Sequence, residues 1–402
     1  MQAIIMAAGK STRTYPITLT IPKPLVKIAN KPIIVHNLEA LKDHVNEFII
    51  IVGYLKEQFN EVLGNEFEGI PIKYVEQREQ HGTGHAVLLT KNLINEDFLV
   101  INGDDIFSKK DFEQIVNTKN SMLVKEVTDP SHFGVIKFEN EKVLEIVEKS
   151  ENPPSNLANT GLYHFEPKIF EYLEKVEHSK RNEIEIVDAI SLFAKENDFF
   201  YKVVIDYWLP NTYCWSFLEN NEFLLARMKE EILGEVEPNV TIKGKLILGK
   251  GSIIKSGTYI EGDVLIGENV MIGPNCYLRG STSIDNGVKL KNAAEIKNSI
   301  IFEKANGFHL SFIGDSIIGK KVNIGAGTKV ANFRHDGKSH TCMVKEELID
   351  TGRRKLGAII GDNVHTGINC SIYPGRLIWP DQSTLPGEIV RKNKKLKKII
   401  LI

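Results

Sequence analysis

The chain has 402 residues, of which 42% are hydrophobic and 25% are charged, and its formal net charge is −2. This length is comfortable for two domains, and the nearly balanced charge gives no electrostatic reason to expect a nucleic-acid or membrane partner. No apolar run approaches the ~18 residues of a membrane span. The four cysteines lie too far apart for a clustered metal site and are too few for a disulfide framework. We therefore expect a cytoplasmic protein with reduced thiols.

The N-terminal segment predicts a phosphate-binding loop. An apolar run, Ala3–Ala8, predicts a buried strand, and the small residues Gly9, Ser11 and Thr12 follow it. Small residues let the backbone approach a ligand, so that successive N–H groups can cradle phosphates. Arg13 and Lys23 add charge-assisted hydrogen bonds. The segment contains neither GxxxxGK[ST] nor GxGxxG, so it is not one of the commoner phosphate loops.

The remainder of the first half alternates apolar runs with amphipathic stretches, which predicts an α/β domain with a mainly parallel sheet. Such sheets bind ligands at the carboxyl ends of their strands, where the Gly9 loop and Gly103–Asp104 are both expected. Predicted strands are Ala3–Ala8, Phe48–Val52, Ile72–Glu76, Phe98–Asn102 and Met122–Val127, and predicted helices are Pro32–His44, Lys56–Leu63, Gly84–Asn92 and Asp111–Asn117.

A connecting helix is predicted at about 215–233, within a first domain of residues 1–234, and the period then changes. Aliphatic or aromatic residues stand six apart from Ile242 to Phe308 without a miss, the phase shifts by four after Phe308, and the pattern resumes at Ile318. A helix cannot use this period, but a triangular β-coil can, with one core residue on each six-residue side. Residues 235–402 are therefore predicted to form a left-handed parallel β-helix.

The segment AAG-x-x-T-R followed by P-K-P resembles the sugar-1-phosphate nucleotidylyltransferases, and the resemblance continues along nearly the whole chain. It implies catalytic roles for Arg13 and Lys23, which would neutralise charge on the phosphates. It also implies a nucleotide site and a sugar-phosphate site. The nucleotide set is Ala8, Gly9, Lys10, Ser11, Thr12, Gln77, Gly82 and Thr83, and the sugar-phosphate set is Gly134, Glu148, Lys149 and Asn159.

The resemblance also implies a Mg²⁺ site and a base preference. Asp104 matches the metal ligand, whereas Pro210 stands where the family has a second one, so Asn211 is expected to replace it from the next position. The stretch from Gln77 through Gly82–Ala86 is similar to that of enzymes that use UTP and N-acetylglucosamine-1-phosphate. Ser11 and Thr14 depart from the family, which usually has Gly and Leu or Met at these positions.

The second half resembles the glucosamine-1-phosphate acetyltransferases in the segment from His309 to Asn332. An imidazole suits a general base near neutral pH, and the resemblance gives that role to His309. It implies an acceptor site formed by Arg279, Glu295, Lys297, Asn323, Asn332 and Lys338. Phe312 replaces the usual Tyr. In this family the β-helices form trimers with active sites between subunits, and acetyl-CoA is the acetyl donor.

These observations favour a bifunctional, cytoplasmic, homotrimeric enzyme that acetylates glucosamine-1-phosphate and then transfers UMP from UTP. It would use Mg²⁺ and acetyl-CoA and would bind neither nucleic acid nor membrane. One alternative is a glucose-1-phosphate uridylyl- or thymidylyltransferase with a purely structural β-helix. Another is a regulatory subunit resembling those of the translation-initiation nucleotide-exchange factor, which share the two-domain layout without the chemistry.

Overall fold

The computed structural model describes residues 1–179 and 182–395. Their contacts define two compact units, and the N-terminal segment contributes to both. The first unit contains residues 1–10, 22–25 and 32–210, and the second contains residues 11–21, 26–31 and the chain from Asn211 onward. The N-terminal signature is therefore shared between the units.

The first unit is built on a ten-stranded mixed sheet, which confirms the predicted α/β class. The prediction of a mainly parallel sheet was wrong, since five of the nine neighbouring strand pairs are antiparallel. Gln2–Met6 lies at its centre and pairs in parallel with Glu47–Val52 on one side and Phe98–Asn102 on the other. The strands in spatial order are Gly134–Glu139, Lys142–Glu148, Phe200–Val203, Ser121–Glu126, Leu157–Phe165, Phe98–Asn102, Gln2–Met6, Glu47–Val52, Ile70–Glu76 and Glu66–Phe67. A separate short pair joins Ile106–Phe107 to Trp208–Leu209.

Four helices of the first unit, Ile33–Leu41, Glu57–Leu63, Thr83–Leu88 and Lys109–Val116, follow the predicted positions within a few residues. Two further helices, Ile169–Leu173 and Ile186–Glu196, were not predicted. Short 3₁₀ turns occur at Thr12–Thr14, Ile17–Leu19, Lys23–Leu25, Lys91–Leu93 and Pro130–His132. The central strands Gln2–Met6, Glu47–Val52 and Phe98–Asn102 are buried except for one half-buried end residue each, as expected for parallel strands covered on both faces.

The second unit begins with the helix Cys214–Arg227, which ends several residues before the predicted end at 233. The strand Glu231–Ile232 already pairs in parallel with Ile247–Leu248, so the coils start earlier than residue 235. Three parallel sheets form the left-handed β-helix. The first contains Glu231–Ile232, Leu246–Leu248, Val264–Ile266, Thr282–Ile284, Ile300–Ile301, Ile317–Ile318, Ala358–Ile360 and Arg376–Ile378.

The other two sheets complete the triangle. The second contains Glu235–Val236, Ile253–Ile254, Met271–Ile272, Lys289–Leu290, Asn306–Gly307 and Asn323–Ile324. The third contains Thr241–Lys243, Tyr259–Glu261, Tyr277–Arg279, Glu295–Lys297, Phe312–Gly314, Lys329–Val330, Ser371–Ile372 and Ile389–Val390. Every six-residue repeat position from Leu248 to Ile296 is buried in one continuous core.

The register shift lies earlier than the sequence pattern indicated. Ile284 pairs with Ile301, not with Phe302, and Leu290 pairs with Gly307. The chain therefore has one residue fewer between Ile296 and Ile301. Paired residues from there to Val330 are 17 apart, as in Ile313 with Val330, whereas the spacing is 18 before the shift and again for Ile360 with Ile378. The prediction that the shift occurs after Phe308 was wrong, because Phe302 is also buried and kept the apparent period intact.

An excursion interrupts the coils between Lys329–Val330 and Ala358–Ile360. It contains the antiparallel hairpin Thr341–Val344 and Glu347–Asp350. Its returning segment pairs with its outgoing one, since Lys355 bridges Phe333 and the Leu356 N–H donates to the Asn332 carbonyl at 3.0 Å. Both segments therefore lie beside the third sheet at the strand Phe312–Gly314.

Candidate active sites

The strand that opens the chain ends in a closely packed turn. The Ala8 carbonyl accepts a hydrogen bond from the Gln80 side-chain amide at 2.9 Å. A Cβ at Gly53 would lie 2.9 Å from the same carbonyl, so only glycine fits there without displacing the strand end. Ala8 is buried whereas Gly9 and Lys10 are exposed, as a ligand-binding turn requires. No role for Gln80 was predicted from the sequence.

Lys23 and Asp104 meet at the carboxyl edge of the sheet. The Lys23 ammonium lies 2.7 Å from the Asp104 carboxylate, and the lysine side chain is 8% exposed whereas that of the aspartate is 35% exposed. Asp104 reaches this position because Phe98–Asn102 ends beside the first strand, where a Cβ at Gly103 would lie 2.8 Å from the Met6 carbonyl. The structure thus brings together one residue predicted to bind phosphate and one predicted to bind metal.

The neighbouring acidic residue has a structural partner. Asp105 is buried and accepts a hydrogen bond from the Trp208 indole N–H at 3.1 Å. Its backbone carbonyl accepts from the Asn37 side chain. These contacts give Asp105 a structural role, and the ligand role of Asp104 stays a prediction.

Asp104 suits a magnesium ion that arrives with a nucleotide. Mg²⁺ binds through one or two carboxylates and completes its octahedron with water and phosphate oxygens. The described residues contain no group of three His, Cys, Asp or Glu side chains that could hold a metal by themselves. Asn211 is fully buried, and its side-chain oxygen accepts a hydrogen bond from Asn220 at 2.9 Å. A ligand role for Asn211 stays a prediction.

Gln77 supports the loop that was predicted to recognise the base. Its amide donates to the Gly82 carbonyl at 3.0 Å and lies 3.1 Å from Nδ1 of His85. Burial lowers the pKa of His85, which favours the neutral ring in this contact. Gly82 has φ +101°, and a Cβ there would lie 2.4 Å from the Ile184 carbonyl. Thr83, which opens the next helix, accepts a hydrogen bond from the Ile186 N–H.

The residues of the predicted sugar-phosphate site lie on adjacent strands. Gly134 pairs with Glu148, whose carboxylate would lie 2.4 Å from a Cβ at Gly134, so the glycine makes room for this side chain. The Asn159 amide donates to the Tyr163 hydroxyl at 2.7 Å, and burial raises the pKa of that phenol. Lys149 follows with φ +44°.

The family departures at Ser11 and Thr14 have a local structural explanation. Ser11 has φ 49°, a conformation that favours the glycine usual in the family. The Ser11 carbonyl accepts hydrogen bonds from the hydroxyls of Thr14 and Thr18, both at 2.8 Å. The Thr14 and Thr18 hydroxyls form a buried pair that fixes the turn, where the family usually has the apolar side chain of Leu or Met at the position of Thr14.

Arg13 is exposed and lines a cavity of about 300 Å³ in the second unit. Lys345 and Glu346 of the hairpin line the same cavity, together with Trp379. This cavity could not be predicted from the sequence, because the hairpin lies outside the hexapeptide pattern.

A larger cavity, of about 630 Å³, lies on the third sheet of the β-helix. Arg279 and Lys297 occupy paired positions on successive strands, and Glu295, on the strand of Lys297, pairs with Phe312 on the next strand. The lining residues are Arg279, Lys297, Phe312, Asn332, Phe333, Arg354 and Lys355. The structure therefore brings three of the predicted acceptor residues to one cavity and adds two cations that sequence analysis missed.

One buried carboxylate organises this cavity. Asp315, which is 2% exposed, accepts from the Lys297 ammonium at 2.8 Å and from the Asn332 amide at 2.6 Å. The Asn298 amide adds a third bond at 2.9 Å. Gly314 is required beside it, since a Cβ there would lie 2.5 Å from the Asn332 amide nitrogen. In the same way, the Glu295 carboxylate accepts from the Arg279 guanidinium at 2.7 Å and holds it in place.

His309, Asn323 and Lys338 are not among the lining residues of this cavity. His309 is exposed at a corner of the coils, and its carbonyl accepts from the Gly327 N–H. This corner continues along the β-helix axis on the later coils, because the Asn369 N–H donates to the Ala326 carbonyl and the Gly387 N–H donates to the Ile368 carbonyl.

An α/β domain whose first strand ends in a turn of small residues, followed by a left-handed β-helix, is the architecture of a class of nucleotidyl-transferring proteins. The nucleotidyl transferase family model matches residues 2–226, and a model described as the GMPPB C-terminal domain matches residues 260–384. This chain belongs to the nucleotidyl transferase family. None of its described helices combines the length and apolar character needed to cross a membrane.

Relatives match both halves of the chain. "Bifunctional protein GlmU" of Methanocaldococcus jannaschii is 42% identical over 93% of this chain and 91% of its own length. A "bifunctional sugar-1-phosphate nucleotidylyltransferase/acetyltransferase" of Sulfurisphaera tokodaii is 41% identical over 98% of both chains. A solved structure of UDP-glucose pyrophosphorylase complexed with UDP-glucose covers 56% of this chain and 99% of that chain, with 28% identity and a TM-score of 0.53.

Proposed function

We propose that this chain is a bifunctional enzyme of UDP-N-acetylglucosamine synthesis. Its β-helix would acetylate glucosamine-1-phosphate, and its α/β domain would transfer UMP from UTP to the N-acetylated product. The observation that carries the proposal is that the chain holds two separate clusters of charged side chains, Lys23 with Asp104 on the α/β sheet and Arg279 with Lys297 on the β-helix. Relatives of full length named for both activities support the same assignment.

In the first domain the sugar-phosphate oxygen attacks the α-phosphorus of UTP in line, and pyrophosphate leaves. Such transfers depend on positioning and charge neutralisation. Amides of Gly9–Thr12 and the Arg13 guanidinium would hold the leaving pyrophosphate, and Lys23 would neutralise the α-phosphate. Asp104 would hold Mg²⁺, which supplies charge neutralisation on phosphate oxygens when bound. Glu148, Lys149 and Asn159 would orient the sugar phosphate.

In the β-helix the amine of glucosamine-1-phosphate attacks the thioester carbonyl of acetyl-CoA. A C–N bond forms, the C–S bond breaks, and His309 takes the proton that the amine loses while CoA leaves. His309 is absent from the cavity of its own chain, which supports an active site completed by a neighbouring subunit of a homotrimer. We place the enzyme in the cytoplasm, because its four cysteines are unpaired and buried.

The test is a substrate panel on the full-length protein. UTP and dTTP are each combined with N-acetylglucosamine-1-phosphate and glucose-1-phosphate while pyrophosphate release is measured, and CoA release is measured with acetyl-CoA and glucosamine-1-phosphate. Highest kcat/KM for UTP with N-acetylglucosamine-1-phosphate, together with acetyl transfer, is expected. Release of pyrophosphate without any acetyl transfer would favour the nucleotidylyltransferase with a structural β-helix. No turnover in either assay would contradict both enzymatic assignments.

A further inference from the structure

The cavity beside Arg13 carries more positive charge than the predicted nucleotide residues account for. Arg13, Lys345 and Lys395 line it, and Glu346 is the one carboxylate among its described lining residues. Within residues 1–179 and 182–395, none of these four side chains forms an ion pair. The Lys395 ammonium lies 5.2 Å from the centre of the Trp379 ring, a contact that orients a cation without neutralising it. The lining therefore has a net charge of about +2.

The segment that carries Arg13 is fixed on the second unit. The Thr14 carbonyl accepts a hydrogen bond from the buried Cys214 thiol at 3.1 Å. The Thr20 hydroxyl donates to the Asp362 carboxylate at 2.7 Å. Residues 11–21 and both of these partners belong to the same compact unit. Arg13 is therefore presented to the cavity by a backbone that the β-helix and its first helix hold in place.

The turn of the hairpin contributes a second group of charges. Thr341–Val344 and Glu347–Asp350 pair along their whole length, so Lys345 and Glu346 form the two-residue turn between them. Lys345 is exposed and has φ +55°. Turns of this kind favour glycine, asparagine or aspartate at positive φ, so the backbone geometry does not explain a lysine here. The place of its side chain in the cavity lining does.

The charge and the size of the cavity suit the terminal phosphates of a nucleoside triphosphate. Phosphate oxygens accept charge-assisted hydrogen bonds from guanidinium and ammonium groups. The volume of about 300 Å³ is roughly ten times the ~30 Å³ that one water takes in the liquid, which leaves room for a group of pyrophosphate size. Thr12 and Arg13, two residues of the predicted nucleotide site, line this same cavity.

We propose that Lys345 is a further binding residue of the nucleotidylyltransferase site and contacts the phosphates that leave as pyrophosphate, beside Arg13. The proposal rests on the nucleotidyl transfer proposed above. When the bond from the α-phosphorus to its bridging oxygen breaks, the electron pair stays on that oxygen, and Lys345 and Arg13 balance the charge that the leaving group gains. Lys395 strengthens this positive field and Glu346 weakens it. The hairpin that interrupts the β-helix thus takes part in nucleotidyl transfer.

The experiment measures nucleotidyl transfer in both directions with the full-length protein and Mg²⁺. Lys345→Gln should raise KM for UTP in the forward reaction and KM for pyrophosphate in the reverse reaction, each about five-fold or more, because one charge-assisted contact is lost. KM for N-acetylglucosamine-1-phosphate and for UDP-N-acetylglucosamine should stay within two-fold of the wild type, because neither carries these phosphates. Lys345→Arg should restore both raised KM values, and acetyl transfer should be unchanged throughout.

Two further variants make the test specific to this cavity. Glu346→Gln removes the lining carboxylate, so KM for UTP and for pyrophosphate should fall about two-fold. Lys250→Gln removes an exposed lysine of the β-helix that does not line the cavity, and it should leave every KM unchanged. An unchanged KM for pyrophosphate in Lys345→Gln, or an equal rise in Lys250→Gln, would overturn the proposal. A KM that does not fall in Glu346→Gln would also contradict it.

A binding measurement separates this proposal from the nucleotidyl-transfer assignment. Pyrophosphate is titrated calorimetrically, with Mg²⁺, into the wild type and into Lys345→Gln, in the presence and absence of UTP. If the wild type binds pyrophosphate in competition with UTP and Lys345→Gln binds it more weakly, but no UMP is transferred, the Lys345 contact stands and the proposed function fails. If UMP is transferred but both proteins bind pyrophosphate equally, the function stands and the Lys345 contact is wrong. Pyrophosphate that binds without competing with UTP would identify a separate anion site and overturn the proposal.

Discussion

At the scale of single residues, each unit has one aspartate at its candidate site, and the two aspartates differ in burial and in hydrogen bonding. Asp104 lies partly exposed at a strand end with one lysine beside it, which suits a carboxylate that must meet an incoming metal–nucleotide complex. Asp315 is almost completely buried and has three side-chain donors around it, which suits a carboxylate that fixes other side chains. Substitution of Asp104 and substitution of Asp315 should therefore reduce different activities of the enzyme.

Replacing Asp104 by Asn should lower kcat for pyrophosphate release by about 100-fold, since the transition state would lose a negative ligand for Mg²⁺. Acetyl transfer in the same protein should not change. A matched control is Asp43→Asn, which removes an exposed carboxylate paired with Lys109 in the same unit. Equal loss of activity in Asp43→Asn would show that Asp104 acts through folding and not through the nucleotide.

Replacing Asp315 by Asn should raise KM for glucosamine-1-phosphate about ten-fold, because Lys297 and Asn332 would lose the charge that orients them. The kcat for acetyl transfer should fall much less, since Asp315 does not touch the reacting atoms. Pyrophosphate release provides the internal control, because a variant that merely unfolds would lose both activities. A KM equal to that of the wild type would show that the cavity does not depend on this carboxylate.

At the scale of elements, the sequence predicted the segments that follow a regular hydrophobic period. It did not predict the segments that interrupt that period. The strand Phe98–Asn102 occurs as predicted, and the six-residue period identified the β-helix because each coil side buries one residue. The shortened coil at Ile301 was misplaced because two neighbouring apolar residues can each satisfy the period. The hairpin and the segment with Arg354 and Lys355 have no period, so only tertiary contacts reveal that they border the cavity.

His340 makes the excursion sensitive to acid. It is 2% exposed, and its Nε2–H donates to the Asn332 carbonyl at 3.1 Å. Burial lowers the pKa of this imidazole below its ordinary value of 6.5, and the nearby Arg334 and Arg376 act in the same direction. As the pH falls below 6.5, the unfolded chain therefore binds more protons than the folded chain does. The stability contributed by neutral His340 is present above pH 6.5 and is lost as the pH falls through the lowered pKa of the folded protein.

The melting temperature measured between pH 8 and pH 5.5 should accordingly fall towards acid, and His340→Gln should flatten that slope. Glutamine can keep a donor to Asn332 but does not titrate, so stability at pH 8 should change little. Exposed His335 lies in the same excursion, and His335→Gln is the control, which should leave the slope as in the wild type. An unaltered slope in His340→Gln would mean that other groups set the acid response.

At the scale of the whole molecule, the corner that carries His309 also carries uncovered apolar side chains. Leu310 is 59% exposed, Ile368 54% and Leu385 74%. The backbone hydrogen bonds of this corner place Ile368 and Leu385 on adjacent coils, with the coil of Ala326–Gly327 between them and Leu310. An apolar ridge therefore lies beside the candidate general base, and the cavity of the same chain lacks that base. Both features are expected of a subunit interface at the active site. We expect a second copy of this chain to cover the ridge.

Light scattering of the purified protein at micromolar concentration should give three times the 45.3 kDa mass of one chain. Leu385→Asp should shift the mass towards that of one chain, because an aspartate would be buried without a partner at the interface. The same variant should lose acetyl transfer and keep pyrophosphate release, since only the acetyltransferase site needs two subunits. Val62→Asp, which charges a 52% exposed position on a helix of the α/β domain, should change neither mass nor activity. A wild type that stays monomeric yet acetylates glucosamine-1-phosphate would show that one chain supplies its own base, and the shared-site model would have to be abandoned.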